Sequence, residues 1–546
     1  MDRLNASDRA ARRPVAMTLV TLLALYGLAA AIGMVAIGLV RDPLTEGTSY
    51  YVAVARNLVE GRGLVIDAIW SYATPPLVLP RPAFELWQPM ASFVAALPMP
   101  VLGTTFSAAQ VAFALVGALL APLAWLVARD AAGRLQLDER RARTVELSAG
   151  VLTAISAPLL LAGATPDSTL PFAVAGVCAC LLMPRAIHGD RRAIVALGIL
   201  LGLAYLTRME AVWFGLAFVV GAFITRRDLR SAARLGVAVA AIAALVAAPW
   251  WLRNLAVFGT ALPGQLTDNL FLTRNEQIFN YLDRPNLAGF VAQGAPTIAG
   301  NIAAALWHDL VDVLIVPAGP IAFVGLVTVA LGLRRRGPRP ASSLVMLLGA
   351  GALCFLATSV LFPVATLWGT FEHAAGPLHV GLIVAAVIGT DAFVARVRGW
   401  RSWPRANAWL APVGLALIGL PITGLVLTGG ATNAAADARR IAAMAQSLPV
   451  ALERAGVPPG APLIADHPIW LSDALGRSAI VLPDEPVDTL VRLARDFHAT
   501  TVVVTEPRGD LPGALRDPAA AACFTDLAIP GLPPGSAVFL VSEACQ

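Results

Sequence analysis

The sequence predicts an all-α polytopic membrane protein of about eleven transmembrane helices, with a structured first outer loop and a small C-terminal α/β extracytoplasmic domain. Three observations predict it. The chain is 57% hydrophobic and only 14% charged, where a soluble protein carries roughly a quarter charged residues. Apolar runs of spanning length, or nearly so, recur down to about residue 428. Arginine, the only basic residue besides histidine, collects in every second connection between those runs.

The runs lie near 15–40, 106–128, 145–163, 168–184, 193–207, 211–225, 235–252, 311–333, 342–362, 374–395 and 407–428. The first has arginines before it but is too long for a signal-peptide core, so it reads as a retained signal-anchor helix. Runs 193–207 and 211–225 are short and share the polar joint Thr207-Arg208-Met209-Glu210; they form a full hairpin or one broken helix.

Arg3, Arg9, Arg12 and Arg13 precede the first run. Further arginines lie at 129–143, 185–192, 226–234, 334–339 and 396–405. Under the positive-inside rule this puts the N-terminus in the cytoplasm and the loops 41–105, 163–167, 208–210, 253–310 and 363–373 outside, together with everything after 428. The chain then divides into a transmembrane domain, 1–428, and an extracytoplasmic α/β domain, 429–546. The formal charge of +5 reports membrane orientation and implies no nucleic-acid partner. No ionisable residue is expected near the middle of a span, which counts against a proton- or sodium-coupled transporter.

After residue 428 a helical stretch is followed by short apolar runs at Pro462–Ala465, Ala479–Leu482, Thr500–Thr505 and Ala537–Val541, the alternation of a small α/β domain. Cys523 and Cys545 flank part of it and are expected to pair, with two free thiols as the alternative. Cys178, Cys180 and Cys354 sit in apolar runs and act as small hydrophobes. No cysteine–histidine spacing resembles a zinc site, so no metal ligands are assigned.

Residues 41–98 form the chemically densest stretch. They hold five acids (Asp42, Glu46, Glu60, Asp67, Glu85), four arginines, paired tyrosines and two tryptophans. Long loops with this content are functional or disordered, and the aromatic content argues against disorder.

Several motifs follow one another in a recognisable order. Glu46 precedes Tyr50-Tyr51, then come Ala55-Arg56-Asn57 and Gly61-Arg62-Gly63. Trp87-Gln88-Pro89-Met90 leads into the second run, and Thr165-Pro166-Asp167 fills the next outer loop. Leu206-Thr207-Arg208-Met209-Glu210 and Pro249-Trp250-Trp251-Leu252-Arg253-Asn254 complete the series. In this order and placement the chain resembles the C-type, polyprenyl-phosphate-dependent membrane glycosyltransferases, which include the protein O-mannosyltransferases and the aminoarabinose transferase of lipid A.

The resemblance implies inverting transfer of a sugar from a polyprenyl-phosphate donor to a cell-envelope glycan, lipid or protein acceptor. It also implies a site where the outer helix ends meet the first loop, among membrane lipids. No cofactor is required, and a divalent metal is unsupported. The family's catalytic aspartate falls on Gly47 here. Glu46 is then the candidate general base with Asp42 second, and helix capping is the other reading of Glu46. Asp167 matches the family's second outer acid, or caps the fourth span. Arg253, Arg208 and His373 are candidates for the donor phosphate. Their alternatives are an interfacial anchor, a pair with Glu210 and an idle helix-end histidine. Tyr50, Tyr51, Asp67 and Trp87 are candidates for acceptor or sugar contact; Asp67 could instead hold the loop together, and Trp87 could be a belt residue. The implied location is a bacterial inner membrane. A lipid or polysaccharide flippase and a non-catalytic assembly scaffold are the competing classes.

Overall fold

The computed structural model describes residues 15–263, 265–336, 342–401, 409–506, 511–520 and 522–545. Arg3, Arg9, Arg12, Arg13, Arg339 and Arg405 lie outside them. The bundle is helical throughout, and eight of its helices are long and apolar enough to cross a membrane, or nine with one bent pair, among the described residues. Helix starts follow side-chain chemistry. Thr105, Asp138, Asp190, Asp228 and Ser342 each stand at an N-cap and accept an N–H from the first turn.

Helices pack closely where glycine leaves room. A Cβ on Gly202 would stand 2.7 Å from Val246, and one on Gly325 would clash with the Leu382 carbonyl. These glycines let 191–205 approach 229–258, and 320–336 approach 376–401, the small-residue contact that helices in lipid depend on. Glu139–Ala154 and Ala157–Ala164 meet at 42°, and the Ile155 carbonyl at the bend takes the Thr423 hydroxyl at 2.7 Å.

The arginine-rich connections share one end of the bundle. Arg141 pairs with Asp391 at 2.6 Å, Asp130 accepts the Ser343 amide at 2.8 Å, and Arg226 donates to the Ile187 carbonyl at 2.6 Å. The loops at 41–105, 164–168, 206–210, 259–294 and 362–375 gather at the other end.

One expectation is corrected. The stretch 253–310 is not all loop: Ala295–Ala318 is an apolar helix of spanning length, separated from Pro320–Arg336 by Gly319 at φ 59°. Asp309 and Asp312 interrupt its hydropathy, which is why the sequence reading starts a span only at 311. Asp309 lies within this helix and is fully buried, but it stands level with Ser359 near the end of Ser343–Leu361 and with Thr366 in the turn beyond it, at the outer end of the bundle and not mid-span.

Leu410–Arg454 is one helix and runs unbroken across residue 428. It delivers the chain to a six-stranded sheet in the order 68–69, 479–481, 463–465, 501–504, 537–541, 524–526. The first four strands are parallel and the last two pairings are antiparallel. Parallel strands require crossovers, here the helices Pro468–Leu475 and Val487–Phe497. Cys523 and Cys545 form a disulfide beside the last strands.

The edge strand Ala68–Ile69 comes from the first loop and pairs in register with Ala479 and Ile480. One apolar core joins Ile69 and Tyr72 of that loop to Phe279, to Val364 and to the C-terminal Ile480 and Val502. Arg56 grips Asp473 with two nitrogens at 2.7 and 3.3 Å. Glu485 accepts the amides of Leu282 and Asp283 at 3.0 and 2.8 Å. Both long loops and the C-terminal layer therefore form one roof over that end of the bundle.

Candidate active site

Beneath the roof, Gln110 sets the geometry. It lies on Phe106–Ala118, is 1% exposed, and donates to the carbonyls of Val40 and Ala164, each at 2.7 Å. An amide group has two N–H donors, and both are used. Gln110 thus fastens the end of the first helix to the end of Ala157–Ala164. Asp42 follows the first of these carbonyls and Asp167 the second.

Asp167 is nearly buried and doubly engaged. One oxygen accepts the Thr169 amide at 2.7 Å, and the other lies 3.0 Å from His373 Nδ1. The Thr169 hydroxyl stands 3.1 Å from the same nitrogen. Burial disfavours the His373 imidazolium, but the Asp167 carboxylate outweighs it, so the net shift is upward. The ring therefore holds a proton to higher pH than an ordinary histidine.

Arg208 closes the group. It donates to the Ser168 hydroxyl at 2.9 Å, to Glu210 at 2.5 Å and to the Thr370 carbonyl at 3.1 Å. Its Nε has no partner among the described residues. Tyr51, from the helix Glu46–Val59, reaches Ser168, and burial first of all holds its phenol well above the ordinary range. Tyr51, Asp167, Arg208 and His373, far apart in sequence, thus meet at one place, with Glu210 beside them.

The other candidates stand elsewhere. Arg253 lies over the rings of Trp250 and Phe258, at 4.9 and 5.0 Å from their centroids, a cation–π arrangement. It donates to Asn254 at 3.2 Å and has no ion-pair partner among the described residues. Trp87 lies inside the loop's aromatic cluster, 4.4 Å from Tyr50 and 5.0 Å from Trp70 between ring centroids. The Tyr50 hydroxyl accepts the Phe84 amide at 2.6 Å and faces Glu85, which pairs with buried Arg81 at 3.3 Å. Asp67 pairs with Arg62 at 2.7 Å at the edge of the sheet, outside the cluster.

The two candidate bases differ sharply. Glu46 is fully engaged in the roof. Its Oε1 accepts the amides of Ile469 and Trp470 at 2.8 and 3.4 Å, and its Oε2 accepts Trp70 Nε1 at 3.1 Å. Asp42 is half-buried, and no hydrogen bond or ion pair engages its carboxylate among the described residues. No group of three or more His, Cys, Asp or Glu side chains converges as a metal site among the described residues. Gln110, Ser168 and Thr370 escaped the sequence reading. A glutamine inside an apolar run was the available signal for the first.

Part of the sequence and the whole fold resemble known proteins. Residues 81–252 match the model of the dolichyl-phosphate-mannose-protein mannosyltransferase family. Among solved structures, ArnT from Cupriavidus metallidurans bound to undecaprenyl phosphate superposes with a TM-score of 0.52 at 16% identity, over 97% of this chain and 99% of that one. The Archaeoglobus fulgidus oligosaccharyltransferase, in complex with Zn and sulfate, matches with a TM-score of 0.52 at 14% identity, over 94% of this chain and 74% of that one. None of the curated proteins matches the chain in sequence. The resemblance to the C-type, polyprenyl-phosphate-dependent membrane glycosyltransferases therefore holds in both motif and fold, and the chain is a multi-pass membrane protein of that architecture.

Proposed function

We propose that the protein transfers a sugar from a polyprenyl-phosphate donor to a cell-envelope acceptor, with inversion, at the end of the bundle covered by the roof. That end faces away from the arginine-rich connections, and so away from the cytoplasm of a bacterial inner membrane. The observation that carries the proposal is the meeting of Tyr51, Asp167, Arg208 and His373 at the end of the bundle where the unengaged Asp42 also lies, within a fold whose ArnT example is bound to undecaprenyl phosphate.

The chemistry follows from the residues. The acceptor hydroxyl oxygen bonds to the anomeric carbon while the bond from that carbon to the phosphate oxygen breaks. Attack opposite the leaving group inverts the centre. The hydroxyl proton passes to a carboxylate. Asp42 suits that role better than Glu46, whose oxygens already accept three N–H donors. Polyprenyl phosphate leaves with an added negative charge. Arg253, which makes no ion pair among the described residues, is the cation free to meet that charge, and His373 and Arg208 supply further donors. Asp167 orients His373, and the adjacent Ser168 holds Arg208. Trp87, half-buried and backed by the buried Tyr50 and Tyr51, is the aromatic face against which an acceptor or sugar would lie.

Mass spectrometry of lipids that co-purify with the protein tests this. The expected result is a bound polyprenyl-phosphate sugar. Release of polyprenyl phosphate is then expected to fall by about 10²-fold or more in Asp42→Asn, the scale of losing a general base, and to persist in Glu46→Gln. The reverse pattern assigns the base to Glu46. Purified protein that carries no such lipid and releases no polyprenyl phosphate overturns the reading.

A further inference from the structure

Asp309 is a fully buried carboxylate inside the apolar helix Ala295–Ala318. It begins a segment, Asp309–Ile315, in which the helical hydrogen bonds widen to the i→i+5 pattern. Such widened turns are rare and gather at functional sites. A carboxylate in these surroundings persists only if its partners offset the loss of water. Ser359 donates to Oδ2 at 2.8 Å, Thr366 donates to the same oxygen at 2.9 Å and stands 3.1 Å from Oδ1, and His308 Nδ1 lies 3.2 Å from Oδ1.

Ser359 and Thr366 differ in what they hold. Ser359 belongs to the neighbouring helix Ser343–Leu361, so that bond joins two helices. Thr366 lies beyond the helix end, in the turn Ala365–Trp368, on the segment that leads to His373. The rest of that segment is tied to itself and to the active-site cluster. The Thr370 hydroxyl donates to the Ala365 carbonyl at 3.1 Å, the Thr370 carbonyl accepts Arg208 at 3.1 Å, and the His373 amide donates to the Gly369 carbonyl at 3.0 Å. Phe371 packs edge-on to Phe355 at 5.3 Å. Thr366 is thus the near anchor of the segment and His373, against Asp167, the far one.

We propose that Asp309 is a positioning residue for sugar transfer: through Thr366 it fixes the segment 362–374, and so sets where His373 and the Thr370 carbonyl stand against Asp167 and Arg208. The proposal rests on the transferase reading of that cluster, and it assigns a role to a side chain that touches neither donor nor acceptor.

The test uses the full chain in lipid nanodiscs, with polyprenyl-phosphate mannose as donor probe and an envelope extract as acceptor. Asp309→Asn keeps an oxygen for both hydroxyls and is expected to retain kcat within about threefold. Asp309→Leu and Thr366→Val are expected to lose about tenfold or more in kcat with the donor KM little changed, since small misplacements of reacting groups cost rate rather than binding. Hydrogen exchange of the 362–374 amides is expected to quicken in both, with exchange elsewhere unchanged. Thr366→Val keeps the side-chain volume and decides the matter if Asp309→Leu does not fold. Wild-type kcat together with wild-type exchange in Thr366→Val overturns the proposal, as does a raised KM with unchanged kcat. If the wild type releases no polyprenyl phosphate, the transferase reading fails on its own. Unchanged exchange at 362–374 in the variants would still overturn the anchoring role separately.

Discussion

Glu46 Oε1 accepts the Ile469 amide at 2.8 Å across 423 positions of sequence. Ile469 lies in the first turn of Pro468–Leu475, a helix whose own N-cap residue, His467, supplies no side-chain cap. A carboxylate from the first loop does that work instead, accepting a second amide from Trp470. Glu46 therefore ties the C-terminal layer to the bundle.

Removing it should loosen that tie before it touches chemistry. Glu46→Ala leaves two partly buried amides and the Trp70 indole without an acceptor, each costing about 1–3 kcal/mol. The expected outcome is faster proteolytic cleavage within 455–546 and a lower melting temperature of the purified protein. Glu46→Gln still offers an oxygen to Ile469 and should show most of the wild-type protection. Equal protection in the Ala variant and the wild type would show that the contact contributes nothing to docking.

This contact also shows where sequence reasoning reaches its limit. The helices were legible because burial in lipid demands unbroken apolar runs. The four C-terminal strands at 463–465, 479–481, 501–504 and 537–541 were legible for a related reason, being short apolar runs bounded by turns. The strand Ala68–Ile69 was not, since two residues carry no periodicity and their partner lies at Ala479 and Ile480. The helix from Ala295 was missed because Asn301, His308 and Asp309 lower its hydropathy, and the compensation for Asp309 comes from Ser359 and Thr366, which no local pattern links to it. At the site, Asp167, Arg208 and His373 were each legible as outer polar residues, and their meeting was not. The engagement of Glu46 depends on a helix more than four hundred residues away, so its freedom to act as a base could not be read from its neighbours.

The Asp167–His373 pair makes a pH prediction. His373 is shifted upward from the ordinary histidine value, against its burial, by the Asp167 carboxylate. The protonated ring should thus persist above about pH 6.5, and kcat should decline as pH rises through the raised value. Asp167→Asn removes the charge that holds the proton. The alkaline limb of the rate profile should then move to lower pH, with kcat at neutral pH reduced by about tenfold or more. A limb that stays in place in Asp167→Asn would show that His373 does not set it.

The roof should have its own pH optimum. Burial disfavours the His467 imidazolium, but Glu46 and Glu506 hold it up at about 10, with Glu46 3.7 Å from one ring nitrogen and Glu506 3.4 Å from the other. A raised histidine contributes stability that is complete below its unfolded value and fades as pH climbs toward 10. Glu506 is held down at about 2, by His467 first and Arg440 as well, so its contribution is present above the ordinary glutamate value and is lost as pH falls toward 2. Docking of the C-terminal layer should thus be firmest between roughly pH 4.5 and 6.5. Limited proteolysis across pH reads this, and His467→Gln should flatten its alkaline side. An unchanged alkaline side in that variant would remove His467 from the account.

Gln110 offers the last and most direct test of how the site is held. Its amide fills two buried carbonyls at once, those of Val40 and Ala164, and no other side-chain donor reaches either carbonyl among the described residues. Gln110→Leu keeps the approximate volume but leaves both carbonyls without those donors, at about 1–3 kcal/mol each. Gln110→Glu is worse, because an ionised carboxylate would face two carbonyl oxygens and a neutral one has a single O–H to offer. The helix would survive either change, since the side chain contributes nothing to its backbone hydrogen bonds. What should give way is the alignment of Asp42 with Asp167, as each follows one of the two carbonyls by two or three residues. The expected signature is a fall in kcat by about tenfold to a hundredfold, together with faster hydrogen exchange in segments 40–46 and 164–170. Because Arg253, the main cation for the donor phosphate, stands on another helix, donor KM should change much less than kcat. If Gln110→Leu instead weakens donor binding and spares kcat, the two acids are not the pair that Gln110 keeps in line.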